Sequence, residues 1–323
     1  VINHNDYWGF TDWGIQAEGK AESSGGHVLV FGTDNQWFKG QDDVLIIDND
    51  KAEAHAIYAQ LRPRIDALPD WHPSIGVRHE AMGGGDSATV GMLTSLYDLN
   101  DNWAVRGQYG SAYKLPNAEQ LFVNEPGDEI GNRNLKPEKS RNAELGLDYK
   151  GLLLGRAFSA SVTVFKRKID DLITLDDSRW VNGEGQVRMR GFEADATLAI
   201  NAQWSLQADM TRNLTESRSG VTINDIPSFF ARSRIGFESE NRLWGAGGAI
   251  RYIRDVTSSK LVEYGHYSVI DADAYRYLDN ARQHRVSLLV ENLFDRDYVT
   301  SRASNVDNLG RPFTSEVRYT YRF

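Results

Sequence analysis

The chain has 323 residues, a formal net charge of −9, 41% apolar residues and no cysteine. The lack of cysteine removes thiolate metal sites and thiol nucleophiles, and the acidic balance argues against a general binder of nucleic-acid phosphates. Apolar runs such as "VLVF" and "VSLLV" fall far short of the roughly 18 residues that a membrane-spanning helix needs.

In chain order, the sequence is organised by a period of two, in segments of about ten residues separated by polar breaks rich in Gly, Asn and Asp. Early strands are expected over 9–20, 27–37, 54–62, 72–80 and 88–99. In "NWAVRGQYG", Trp103, Val105 and Tyr109 oppose Arg106 and Gln108. "NAELGLDY" sets Ala143, Leu145, Leu147 and Tyr149 against Glu144 and Asp148. A strand over 156–169 lies in a longer apolar stretch. "GFEADATLAI" then opposes Phe192, Ala194, Ala196, Leu198 and Ile200 to Glu193, Asp195 and Thr197, and "QWSLQADMTRN" opposes Trp204, Leu206, Ala208 and Met210 to Gln207, Asp209 and Thr211. Later strands are expected over 230–240, 243–255 and 267–278. "HRVSLLVEN" opposes Val286, Leu288 and Val290 to Ser287 and Glu291, and the last strand occupies 315–323. No long amphipathic helix is expected.

The breaks alternate in length. Those at 99–102 and before Trp204 are tight, whereas 114–139, 170–185, 214–228, 255–267 and 296–314 are long; 41–50, "QDDVLIIDND", reads as a short apolar run in an acidic loop. This describes an all-β, antiparallel, up-and-down meander of about fifteen strands whose long loops project to one side. Two architectures account for it. In a soluble sandwich the apolar face meets a second sheet. In a transmembrane β-barrel it meets lipid and the charged face lines a wet interior. The heavily charged polar side, the aromatics near strand ends (Trp103, Tyr109, Tyr149, Trp204, Tyr321) and a chain that stops inside a strand favour the barrel.

Several segments, in order, resemble the TonB-dependent outer-membrane receptors: "AIYAQ" (56–60), "GSAYKLPNAEQLF" (110–122), "GNRNLKPEKSRNAELGLDY" (131–149), "RGFEAD" (190–195), "YSVIDADAYRYL" (267–278), "VENLFDRDYVTS" (290–301) and "GRPFTSEVRYTYRF" (310–323). The resemblance runs from about residue 54 to the end and is weaker over 1–53. Independently of it, Pro116 and Pro137 should end strand pairing, and Asn292 and Asp295 should cap backbone in a fold-shaping turn. The family has a 22-stranded barrel around an N-terminal plug. By that resemblance residues 1–323 form the C-terminal part of a receptor barrel, without the plug and without the TonB-contacting box. The opening "VINHNDYWGF" has no signal-peptide pattern and lacks an initial Met, so the chain reads as a mature or truncated product. A passive porin-type channel of similar length is the rival expectation.

The resemblance implies an outer-membrane location in a Gram-negative cell. It also implies TonB-driven uptake of a scarce solute, above all a ferric siderophore, with contacts to lipid and lipopolysaccharide. The terminal aromatics Tyr319, Tyr321 and Phe323 resemble the signal read by the barrel-assembly machinery. Loop cations and aromatics suited to a flat anionic chelate are Phe122, Arg133 and Lys136; Arg179 and Trp180; Lys260 and Tyr264; and Arg302, Arg311 and Phe313. The loop at 115–135 lacks the histidine expected of a haem receptor. Four Met and seven scattered His do not make a copper site, and the acidic 41–50 reads as a solvated loop rather than a calcium site. No Gly-x-Ser-x-Gly, His-Glu-x-x-His or phosphate loop is present, so neither an enzyme nor a cofactor is expected.

Overall fold

The computed structural model describes residues 8–43, 47–82, 87–125, 127–183, 185–218, 226–257, 263–303 and 306–323. One sheet of 15 strands contains most of them. Its members are β1 (Trp8–Glu22), β2 (Val28–Asp42), β3 (Ile47–Arg62), β4 (Trp71–Met82), β5 (Ser87–Asp98), β6 (Trp103–Lys114), β7 (Glu138–Leu153) and β8 (Arg156–Asp170). They continue with β9 (Gln186–Ala199), β10 (Trp204–Arg218), β11 (Phe229–Glu238), β12 (Trp244–Arg254), β13 (Tyr267–Tyr277), β14 (His284–Glu291) and β15 (Thr314–Tyr321). Each pairs antiparallel with the next, with no crossover. Among the described residues no ladder joins β1 to β15.

The register sorts the side chains into two faces. One continuous row runs Val105–Leu147–Val162–Ala194–Met210 across β6 to β10. The row one residue along is Arg106–Gly146–Thr163–Glu193–Thr211. Among the described residues nothing packs over the apolar rows: Leu145 is 57% exposed, Val164 51% and Ile57 65%. A soluble sandwich would bury these residues against a second sheet, but the remaining sheets are short loop ladders of two to four strands. A bare apolar band on a strand wall is the lipid-facing surface of a barrel.

The polar face is held by side chains that cross strands. Arg106 Nε donates to both Asp148 oxygens at 3.2 and 2.9 Å, and its Nη2 donates to Ser161 Oγ at 2.8 Å and Thr163 Oγ1 at 2.6 Å. This path exists because the residue beneath is glycine: a methyl on Gly146 would sit 2.8 Å from Arg106 Cγ and Nε. Arg251 reaches Asp271 at 3.0 Å, and Arg78 bridges Asp34 and Glu80 at 3.2 and 2.6 Å. Such pairs suit a wet interior, where charge stays partly hydrated.

Three of the tight turns share one device. Asn100 Oδ1 accepts from the backbone N–H of Asn102 and Trp103, and Asn201 Oδ1 accepts from those of Gln203 and Trp204. Asn241 Oδ1 accepts from Leu243 N–H, one residue before Trp244. In each case an Asx side chain closes the turn and a Trp opens the next strand on the apolar face. Those Trp residues pack on cross-strand rings: Trp103 on Tyr149 (4.7 Å between centroids), and Phe237 on both Trp204 (5.0 Å) and Trp244 (4.8 Å). This row is an aromatic girdle at the short-turn end. Tyr109, also named as a strand-end aromatic, lies six residues beyond Trp103 on the same face, about 20 Å along the strand, near the opposite rim.

Two expectations need correction. The acidic 41–50 segment is not all loop: β2 runs to Asp42 and β3 starts at Ile47. The break at 214–228 begins later, because β10 extends to Arg218. In both, the polar strand ends carry no alternation to read. The long loops also hold structure of their own, including a helix, α1 (Ala118–Phe122), fixed by Asn117 and Gln120 in a reciprocal capping box. Pro116 and Pro137 flank the strand ends as expected. Asn292 lies in a left-handed turn (φ 52°) and is 1% exposed. Its Nδ2 donates to Arg296 O and Arg311 O at 2.9 and 3.0 Å, its Oδ1 accepts Arg296 N–H, and Asp295 Oδ1 accepts Phe313 N–H. The Asn-Leu-Phe-Asp segment is thus a knot that fastens the last loop to β14.

Candidate ligand site

All long connections lie at one end of the wall, and the loop between β6 and β7 reaches back there to β3. The β3–β4 ladder ends at Ala54–Met82, while β2 and β3 continue pairing to Asp42–Ile47, so β3 stands above the shorter β4–β5 hairpin. The upper end of β6 leans across the hairpin's polar face, where the Tyr113 hydroxyl donates to Glu80 Oε2 and lies 3.4 Å from Arg78 Nε. Ala56 and Ala88 are buried there, at 2% and 5% exposure. α1 follows and comes to rest against β3.

The step at β3 encloses a cavity of about 710 Å³. Trp13 stacks on Trp37 with centroids 4.2 Å apart and planes 15° from parallel. The Arg133 guanidinium lies 4.8 Å from the Phe122 ring centroid. Leu121 and Leu135 close the loop side, and Lys39, Lys51 and Glu53 supply charge. Trp13 and Trp37 continue the apolar rows of β1 and β2, whereas Phe38, Ala52 and Met82 come from the other face, so the cavity straddles the free edge of β3. Aromatic faces and cations around one opening can hold a flat anionic solute by stacking and charge together.

Of the expected site residues, Phe122 and Arg133 meet here and the others do not. Lys136 is exposed and contributes its backbone: Asn182 Oδ1 accepts Lys136 N–H at 2.8 Å, and Asn182 Nδ2 donates to Lys136 O at 2.9 Å. Arg179 pairs in parallel with Ile130, and Trp180 O accepts Asn132 Nδ2 at 3.0 Å, so these two residues join the β6–β7 and β8–β9 loops to each other. Lys260 lies outside the described residues. Tyr264 is buried, with the Arg302 guanidinium 5.9 Å from its ring centroid, and Arg302 is itself paired with Asp307. Arg311 binds Glu291 at 2.8 Å, and Phe313 is exposed beside the Asn292 knot. Tyr319, Tyr321 and Phe323 are exposed on the last strand, with the Tyr319 hydroxyl 2.6 Å from His284 Nδ1 and Phe323 edge-on to Tyr321 at 5.0 Å.

The site residues missed from the sequence are Trp13, Trp37, Lys39 and Lys51. One signal was available, since Trp13 and Trp37 are equidistant from the Ser23–His27 turn and must face each other in a hairpin closed there. In the stitched loops, burial pushes the Glu129 carboxyl above the usual range, and Glu119, Asp128 and Glu125 reinforce the shift.

The wall, its one-sided loops and its girdle agree with what a family comparison finds. A model described as "TonB dependent receptor-like, beta-barrel" matches residues 1–293. The chain belongs to the TonB-dependent receptor family. The match includes the first fifty residues, where the motif resemblance is weakest. Similar solved structures include the copper transporter OprC (17% identity, TM-score 0.80), covering 97% of this chain and 56% of that one. Another is the apo form of the FrpB iron transporter from Neisseria meningitidis (14%, TM-score 0.81; 98% and 57%). A third is the ferric-catecholate import receptor Fiu from K12 E. coli (17%, TM-score 0.74; 98% and 55%). At these identities the likeness establishes the fold, and the chain spans little more than half the length of each. The family's members are outer-membrane receptors and transporters rather than enzymes.

Proposed function

We propose that this wall and its loops serve a TonB-dependent receptor that captures a ferric siderophore at the outer-membrane surface for TonB-driven import. The observation that carries the reading is the β3 cavity, where the Arg133–Phe122 pair and the Trp13–Trp37 stack stand beside Lys39 and Lys51. A ferric catecholate presents flat aromatic rings and carries negative charge, and rings plus cations complement both properties. The similar structures are named for copper, iron and ferric-catecholate transport alike. A copper site would call for soft donors, and the cavity lining holds one Met and no His. Tyr319, Tyr321 and Phe323, bare on the last strand, are the proposed assembly signal.

The test uses the full-length receptor. Ferric catecholate binding should quench the cavity tryptophans, and F122A combined with R133A should weaken binding at least tenfold and abolish growth on that iron source under limitation. Unchanged binding, or growth that persists without TonB, would overturn the reading.

A further inference from the structure

We infer that the β3 cavity selects a ferric chelate bearing a free carboxylate about 7 Å from an aromatic ring, and that Lys39 and Lys51 together bind that carboxylate. The inference rests on the chelate reading of this cavity and deepens it.

The register separates ring contacts from charge. One row of the outward face is Trp13–Trp37–Glu53, and the next row toward the loop tips is Thr11–Lys39–Lys51. Rows two residues apart on a strand are separated by about 7 Å. Lys39 and Lys51 are direct cross-strand neighbours, with Cβ atoms about 5 Å apart. Both are exposed, and both line the cavity.

Like charges held directly opposite each other cost stability. Elsewhere on the wall that cost is relieved. Arg251 faces Arg232 but pairs with Asp271 at 3.0 Å, and Arg190 faces Lys166 but pairs with Glu216 at 2.7 Å. Lys168 faces Arg141 and Arg188 and pairs with Asp170 at 3.4 Å. Among the described residues neither Lys39 nor Lys51 has a carboxylate partner, so this cation pair alone is left without a neutralised member. An anion bridging the two ammonium groups relieves the repulsion that the strand register imposes.

The rest of the lining fixes the orientation of that anion. Glu53 lies in the ring row, opposite Trp37, and repels negative charge at that level. It stands 3.7 Å from His55 Nε2. The loop wall across from β3 is apolar at Leu115, Pro116, Leu121 and Leu135. A ring seated against the Trp13–Trp37 stack therefore finds cations for an acidic substituent one row higher, toward the loop tips. Two ammonium groups side by side offer one charge-assisted donor to each oxygen of a carboxylate.

The experiment titrates the purified full-length receptor with two ferric complexes, that of dihydroxybenzoylglycine and that of its glycinamide, followed by quenching of the cavity tryptophans. The probes share ring and metal and differ in the carboxylate. Wild type should prefer the acid by about tenfold or more. K39Q with K51Q should bring the two probes to within about twofold of each other by weakening the acid alone. K51Q by itself should give an intermediate preference, which keeps the test valid if the double variant fails to fold. K139Q, at an exposed lysine of β7 outside the cavity, should leave the preference unchanged. The unbound double variant should unfold at no lower a temperature than wild type, because the substitutions relieve repulsion, whereas a pair kept for structure would lower it. Equal binding of acid and amide by wild type, equal weakening of both by the double variant, or a lowered unfolding temperature would overturn the inference. Equal binding of the two probes leaves the ferric-chelate reading standing, while binding of neither overturns both.

Discussion

Replacing Arg106 by Met tests whether the polar face is held by arginines threaded over glycines. Arg106 and Asp148 side chains are 43% and 35% exposed, so that ion pair contributes below about 1 kcal/mol. Thr163 is 7% exposed, and its hydroxyl depends on Arg106 Nη2 at 2.6 Å, a charge-assisted bond of about 1–2 kcal/mol. R106M should therefore lower unfolding free energy by about 2 kcal/mol. G146A should cost a similar amount by a different route, since its methyl must displace the arginine from the same bonds. The double variant should lose about 2 kcal/mol rather than about 4, because both changes act through one group. Urea unfolding in lipid vesicles, followed by tryptophan fluorescence, measures all three. Additive losses would refute the threaded-arginine account.

Asn292→Ala should cost about 3 kcal/mol in the same assay and speed proteolysis of the last loop, because it orphans a buried set of backbone partners; Asn292→Ser should recover part of that. Asn182→Ala should loosen the joint between the β6–β7 and β8–β9 loops, which Arg179–Ile130 and Asn132–Trp180 still hold, and make both loops more sensitive to protease, with the wall strands unaffected. Glu129 has a raised folded pKa, so its protonated form is the one the loops favour. Its contribution is fully present below the ordinary carboxylate range and is lost as pH rises through the shifted value. Glu129→Gln should therefore protect the loops at neutral pH and change little near about pH 4, as read by proteolysis across pH.

The wall was legible because it obeys one rule over its full length. Wherever one face meets lipid and the other water, alternation is forced, and even the 156–169 segment, set in a longer apolar stretch, is a strand at Arg156–Asp170. The rule fails where both faces are polar, which is why the upper ends of β2, β3 and β10 read as loop. Asn292 and Asp295 were recognisable as turn residues because their side-chain chemistry is local. The ligand cavity was only half visible. Phe122 and Arg133 are eleven residues apart on one loop, but Trp13 and Lys51 reach them through the register of β1–β3 and the inward lean of β6. Arg179, Tyr264 and Arg302 show the converse: cations and aromatics suited to a ligand are engaged in joining loops or in pairing with each other.

The central claim is that one face of every wall strand meets lipid and the other meets water. The chain has no cysteine, so single cysteines can be placed cleanly along β7 and β8 and spin-labelled in reconstituted vesicles. Labels at Leu145, Leu147, Val162 and Val164 should be reached by oxygen dissolved in the bilayer and shielded from a water-soluble nickel chelate. Labels at Glu144, Gly146, Ser161 and Thr163 should show the reverse. Equal chelate access at both sets, or no alternation along β8, would contradict the account.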